Sequence, residues 1–137
     1  ASVGLPLEPN TWIANGDREA LWLGPHEWLI VGSPGTEDSI SKDLERALAG
    51  LPHSVVDVSA ARVILELEPA LGLDLLPQGC GIDLHPRSWR EGMCAQTLLA
   101  RVAVILQERE TGTRIFVRPS FANYLVDWLV HVAGVRP

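Results

Sequence analysis

Arg18-Glu-Ala-Leu-Trp-Leu-Gly-Pro-His-Glu-Trp-Leu-Ile-Val-Gly-Ser-Pro-Gly-Thr36 reads as a β-hairpin that runs directly into a helix. Strands fit Arg18 to Leu23 and Glu27 to Val31 around a Gly24-Pro25-His26 turn. Trp22 and Trp28 flank that turn, where they can meet across the strand pair. Beyond Pro34-Gly35 a helix fits Thr36 to Gly50. Thr36 is placed as its N-cap, Glu37 and Asp38 suit the positive end, and Gly50 with Pro52 stops it. Ile40, Leu44, Ala47, Leu48 and Leu51 fall on one face of that helix.

The same order recurs at the other end of the chain. A turn over Glu108 to Gly112 returns a strand as Arg114 to Val117, and Ser120 is placed as the cap of a final helix ending near Gly134. Phe121, Leu125, Trp128, Leu129 and Val132 stand at offsets 0, 4, 7, 8 and 11, which are those of Ile40 through Leu51. Between the two units, strands fit Ser54 to Val58 and Ala61 to Leu67, the second alternating apolar and polar positions. Pro69 to Leu76 fits a short helix ended by Pro77. Gly79, Gly81, Pro86 and Gly92 forbid a regular element until Cys94, after which the chain is strand-like through Thr97 to Arg101 and on to Leu106. This pattern predicts an α+β fold of two hairpin-helix halves, ferredoxin-like in the split β-α-β sense, with a mainly antiparallel sheet. It predicts a single domain over 1–137, with an extended lead-in at 1–17, a first half at 18–78, a connecting loop at 79–93 and a second half at 94–137.

A chain of 137 residues is long enough to bury roughly two-thirds of its unfolded surface without a metal or a disulfide. Hydrophobic residues make up 47% and charged residues 20%, and five tryptophans are many for this length. Mean hydropathy is +0.14. Such a composition calls for a generous core or for apolar surface that meets a partner. A net charge of −6 with basic residues scattered singly argues against a nucleic-acid partner. No apolar run reaches the length of a membrane span, and the residues from Ala1 onward do not read as a charged-then-apolar leader. Two cysteines without a CxxC pair suit a reducing compartment, so the expected location is the cytoplasm.

The motifs that carry chemistry are mostly missing. Neither GxGxxG nor GxxxxGK[ST] occurs, and Pro34 removes a donor from the one Gly-rich strand-to-helix turn. Cys80, Asp83, His85 and Cys94 are metal-capable, but zinc ligands come in closely spaced pairs, and only Asp83 and His85 are close. Isolated buried thiols are the expectation for Cys80 and Cys94. A reactive Cys80 needs a neighbouring cation, which His85 or Arg87 could supply. GxSxG is absent, and Asp57-Val-Ser59 reads as a turn in which Ser59 bonds the backbone. His26, His53 and His131 are expected at the surface.

Five stretches together carry a family likeness. They are Leu21-Trp-Leu-Gly-Pro-His-Glu-Trp-Leu-Ile-Val-Gly32, Val56-Asp-Val-Ser59 with Arg62, Leu75-Leu-Pro-Gln-Gly-Cys-Gly-Ile-Asp-Leu-His-Pro-Arg87, Gly92-Met-Cys-Ala-Gln-Thr-Leu98, and Arg118-Pro-Ser-Phe-Ala-Asn-Tyr-Leu125 with Trp128-Leu129. In this order and spacing the chain, from about Leu5 to Ala133, resembles the gamma subunit family of heterotetrameric sarcosine oxidases. The specific part is Gly-Cys-x-x-Asp-Leu-His-Pro followed by Cys-Ala-Gln-Thr.

The resemblance implies a subunit of a complex that oxidatively demethylates sarcosine to glycine, with hydrogen peroxide and formaldehyde or methylene-tetrahydrofolate as products. It implies that FAD, FMN, NAD, tetrahydrofolate and zinc belong to the alpha, beta and delta subunits. It also implies that the gamma subunit binds none of them, despite a fold similar to the folate-binding domain of aminomethyltransferases. Family members carry a further N-terminal strand segment ahead of the position of Leu5. Without it the sheet is expected to lack an edge strand, leaving unpaired backbone for a partner to cover.

No catalytic, cofactor-binding or metal residue is therefore expected. His85, Arg87 and Trp89 are the candidate contacts with a larger subunit, because Arg and aromatic side chains dominate interface energy. The rival expectation is a folate-binding domain acting on tetrahydrofolate, for which Asp57, Asp83 and Tyr124 are the candidates. A third is redox or metal sensing through Cys80 and Cys94.

Overall fold

The computed structural model describes residues 4–134. The chain divides into two compact units, Ala1–Ser59 and Ala60–Pro137. Any strand ahead of Leu5 lies outside what can be described with the first unit. Both units are mixed α and β, and every neighbouring strand pair is antiparallel.

The first unit holds a sheet of β1 (Trp12–Asn15), β2 (Arg18–Gly24) and β3 (Glu27–Val31) in that spatial order, followed by α1 (Glu37–Ala47). The β2–β3 hairpin forms as expected, with Trp22 opposite Trp28. The lead-in is not wholly irregular, however. Asn15 pairs with Arg18 across the two-residue turn Gly16-Asp17, a hairpin signal hidden among the surrounding Gly and Pro residues. The Trp28 indole donates to the Pro6 carbonyl at 2.8 Å, which ties down the segment ahead of β1.

Helix α1 begins where Thr36 predicts, but not by the expected bond. The Thr36 hydroxyl donates backward to the Ser33 carbonyl at 2.6 Å and caps no helical N–H. Of the apolar face only Ile40 is buried, and Leu51 is 62% exposed. Arg18 of β2 instead joins strand to helix, 2.8 Å from Asp43. Its hydrogen bond holds the Asp43 carboxyl below the usual range.

No strand forms over 54–58. Val55, Val56 and Val58 have the right propensity, but no strand pairs with this stretch among the described residues, and Val56 is left 71% exposed. The turn at its end forms with a different partner from the one expected. Both the Ser59 N–H and its hydroxyl donate to the Asp57 carboxylate, at 2.9 and 2.6 Å. The hydroxyl first, then the N–H, lower the Asp57 pKa.

His53 is exposed, as expected, and is also paired. One ring nitrogen lies 2.7 Å from the Glu45 carboxylate and the other 2.7 Å from the Leu51 carbonyl. Both partners only accept, so the doubly protonated ring alone can make both bonds. The Glu45 hydrogen bond foremost, then that to Leu51, raises the His53 pKa above its ordinary value of 6.5. The pair therefore contributes stability below about pH 6.5 that is lost as pH rises through the raised value. An NMR titration should find His53 protonated to higher pH in the wild type than in Glu45→Gln. Equal values in the two proteins would contradict the pairing.

The second unit holds β4 (Val63–Leu67), α2 (Pro69–Leu75) running into a 3-10 turn at Leu76–Gln78, β5 (Cys94–Leu99), β6 (Val102–Arg109), β7 (Gly112–Val117) and α3 (Pro119–Val132). The sheet order is β4-β7-β6-β5: a β5–β6–β7 meander with β4 added along β7. Sequence reading placed β4 and α2 with the first half. Their partners place them here, since Val63 through Leu67 pair with Val117 through Thr113. Val63, Leu65 and Leu67 turn inward as the alternation predicts, onto a core that includes Leu106, Ile115, Val117, Leu125 and Leu129.

The final helix starts at Pro119, with Arg118 at the cap position. Pro is favoured at a first helical position because its missing N–H is one of the unbonded ones there. Ser120 is inside the helix, not its cap.

The strand-like run from Cys94 to Leu106 proves to be two strands. Ala100 and Arg101 form a two-residue turn between β5 and β6, with φ values of 50° and 72°. This is the backbone of a tight hairpin turn that usually takes Asn-Gly, so nothing in the sequence marked it. Two bonds hold Ala100 there: its N–H donates to the Gly79 carbonyl at 3.0 Å, and its carbonyl accepts the Tyr124 hydroxyl at 3.0 Å. Arg101 is exposed, so Arg101→Gly should stabilise the protein by about 0.5–1 kcal/mol by removing left-handed strain. Urea midpoints check this, and a lower midpoint in the variant would contradict it.

Candidate functional site

The loop over 79–93 is irregular, yet it is built into the second unit at both ends. At its start the Gly79 carbonyl accepts the Ala100 N–H, and Cys80 bridges to Leu99 of β5. Gly79 packs so closely on Trp128 of α3 that a Cβ there would stand 2.5 Å from the ring. At its end the Gly92 N–H donates to the Glu108 carbonyl at 3.2 Å, and the Glu108 N–H donates to the Met93 carbonyl at 2.9 Å. The middle is anchored by Leu84 and Trp89, buried at 6% and 7% exposure in the hydrophobic core of the unit.

Between Leu84 and Trp89 the chain folds on itself. The His85 N–H donates to the Asp83 carboxylate at 2.9 Å. The Arg87 N–H donates to His85 Nδ1 at 3.1 Å. The Ser88 and Trp89 N–H groups both donate to the His85 carbonyl at 2.8 Å. Asp83 acts as the side-chain cap of this single turn, as Asp does in Asx-turns. The His85 N–H foremost, then the Ser88 side chain, hold its carboxyl below the usual range. Asp83, metal-capable by residue type, is thus a turn cap. Its spacing two residues ahead of His85 was the available signal for a turn.

Of the three candidate contacts, His85 and Arg87 are exposed and Trp89 is inside. The apolar character of the loop is thus accounted for largely by this chain's own core. The Trp89 indole N–H is buried without a hydrogen-bond partner among the described residues.

The remaining chemical candidates each have local partners. Cys80 is half-buried with its sulfur 3.8 Å from the Thr97 hydroxyl, and Cys94 is fully buried. Both are free thiols. Cys80 sits beside Leu99, and Cys94 opens the same strand five residues earlier. That is roughly 17 Å at about 3.4 Å per residue, far beyond the about 7 Å that a disulfide spans. Asp57 bonds Ser59, Asp83 bonds His85, and Tyr124 bonds Ala100. Among the described residues no group of three or more His, Cys, Asp or Glu side chains could hold a metal ion. Nor is any helix there long and apolar enough to cross a membrane.

Comparison with known proteins agrees with the motif reading. The model of the sarcosine oxidase gamma subunit family matches residues 2–134. The chain is 35% identical over 133 residues to sarcosine oxidase subunit gamma of Corynebacterium sp. (strain P-1), covering 94% of this chain and 64% of that protein. It is 35% identical over 129 residues to the subunit gamma of an Arthrobacter species, covering 93% of this chain and 63% of that one. It thus spans just under two thirds of the length of these relatives. Among solved structures it is similar to a chain of the heterotetrameric sarcosine oxidase from Corynebacterium sp. U-96 in complex with pyrrole 2-carboxylate. The TM-score is 0.84 at 34% identity, over 96% of this chain and 68% of that chain. A match that runs almost end to end, and that includes the Asp83–His85 turn and the Cys94 strand, fixes the relationship: the chain belongs to the sarcosine oxidase gamma subunit family.

Proposed function

We propose that this chain is a non-catalytic subunit of a heterotetrameric sarcosine oxidase in the cytoplasm, where it supports assembly with alpha, beta and delta subunits. The complex oxidatively demethylates sarcosine to glycine, releasing hydrogen peroxide and formaldehyde or methylene-tetrahydrofolate. FAD, FMN, NAD, tetrahydrofolate and zinc are held by the other subunits. The observation that carries this reading is the family match over residues 2–134. The local engagement of Asp57, Asp83 and Tyr124 supports it, because each of these three pterin candidates hydrogen-bonds a nearby turn of this chain.

The test is co-expression of the four subunits with and without this chain. Omitting it should lower the yield of assembled enzyme that makes hydrogen peroxide from sarcosine. The isolated chain should show neither that activity nor a thermal shift with tetrahydrofolate. Undiminished assembly without the chain, or saturable tetrahydrofolate binding by the chain alone, would overturn the proposal.

A further inference from the structure

The turn from Asp83 to Trp89 has an uncommon combination of features for a surface loop: it is exposed at its tip and closed by four hydrogen bonds at its base. Asp83 accepts the His85 N–H, His85 Nδ1 accepts the Arg87 N–H, and the His85 carbonyl accepts the N–H groups of Ser88 and Trp89. Leu84 and Trp89, one on either side, are sunk in the core. The tip between them is therefore held in one backbone conformation before any partner arrives.

The bonding also settles what the tip offers. Because His85 Nδ1 accepts the Arg87 N–H, it carries no proton, and the ring is the neutral tautomer with its proton on the other nitrogen. His85 thus presents a donor at the tip. The Arg87 side chain makes no ion pair or hydrogen bond among the described residues, although the chain carries 17 acidic against 11 basic side chains. Arg has donors and no acceptor. Two acids lie equally near Arg87 in sequence: Asp83 directs its carboxylate to the turn itself, and Glu91 is exposed and makes no ion pair with Arg87 among the described residues. The side chains of His85 and Arg87 then form a tip that can only donate, and at Arg87 it donates in the planar fork that matches a carboxylate.

We infer that the His85–Arg87 tip is a preformed docking point for a carboxylate-bearing surface of another subunit, and that Asp83 is the residue that positions it. This rests on the subunit reading above. Preorganisation matters because ordering a flexible loop on binding would weaken association. A desolvated Arg-carboxylate contact is also among the interactions that dominate interfaces.

The experiment measures association of the full chain with the purified alpha, beta and delta subunits, for the wild type and for Arg87→Glu, Arg87→Lys and Asp83→Ala. Arg87→Glu should weaken association about tenfold or more, and Arg87→Lys by a smaller factor. Added salt should weaken the wild type more than Arg87→Glu. Asp83→Ala should also weaken association, and adding Arg87→Glu to it should cost less than Arg87→Glu does alone, which a purely structural role for Asp83 would not produce. Association of Arg87→Glu equal to that of the wild type would overturn the inference and leave the subunit reading standing. A wild-type chain that does not associate at all would remove the subunit reading itself.

Discussion

Replacing Gly112 by alanine is expected to destabilise the protein by about 3 kcal/mol or more, because strain and overlap act together at one backbone position. Gly112 opens β7 with φ at +129°, a conformation that side chains on L-residues rarely adopt. A Cβ there would also overlap the backbone where β4 ends. It would stand 3.0 Å from the Leu67 carbonyl carbon and 3.2 Å from that of Glu68, with the Leu67 oxygen closer still. Neither neighbour can give way easily. Leu67 is in register with Thr113, and the Glu68 carbonyl accepts the Gly72 N–H at 2.9 Å in the first turn of α2. Moving Leu67 aside would open the β4–β7 pairing. Urea unfolding of Gly112→Ala should show either a large drop in midpoint or no folded baseline. A midpoint within the error of the wild type would mean that the end of β4 does not lie against Gly112 as described.

Trp89→Ala should destabilise the protein by about 3–5 kcal/mol, the usual range for removing a buried Trp or Phe. Trp89 is 7% exposed and packs with Leu84 in the core of the second unit. The variant would leave a large void and would free the Asp83–Trp89 turn at one of its two anchors. Trp89→Phe is the informative companion. The indole N–H has no hydrogen-bond partner among the described residues, so its loss removes an unsatisfied buried donor rather than a bond. Phenylalanine keeps most of the apolar volume, and its cost should stay under about 1.5 kcal/mol. Thermal melts of the two variants should therefore differ sharply. If alanine proved as mild as phenylalanine, Trp89 would not be a core anchor, and its side chain would again be a candidate for direct partner contact.

Much of this architecture was legible wherever a local signal coincided with a tertiary need. The Trp22–Trp28 hairpin, the β4 alternation and the start of α1 are set by turn residues and periodicity that the fold then uses. The departures have physical causes of the opposite kind. The Ala100-Arg101 turn carries no Gly or Asn, and it is held by bonds from Gly79 and Tyr124, each more than 20 residues away in sequence. Residues 54–58 have strand propensity without a strand to pair with, and propensity alone did not suffice. β4 went to the second unit because its partner is β7, a pairing across some 50 residues that no local pattern announces.

The loop over 79–93 divides in the same way. Its Gly, Pro and apolar residues correctly signalled an irregular stretch with buried anchors. Composition could not say whether Trp89 faced this chain's core or a partner's surface. The Asp83-Leu84-His85 spacing was legible as a turn only once Asp83 was read as a cap instead of a ligand.

The proposal at the centre of this reading is that the chain is one subunit of a sarcosine-oxidising complex. Native mass spectrometry of the enzyme purified from co-expressed alpha, beta and delta subunits with this chain tests it most directly. The result expected is a single heterotetramer containing one copy of this chain. A complete, sarcosine-oxidising complex whose mass leaves no room for this chain would contradict it.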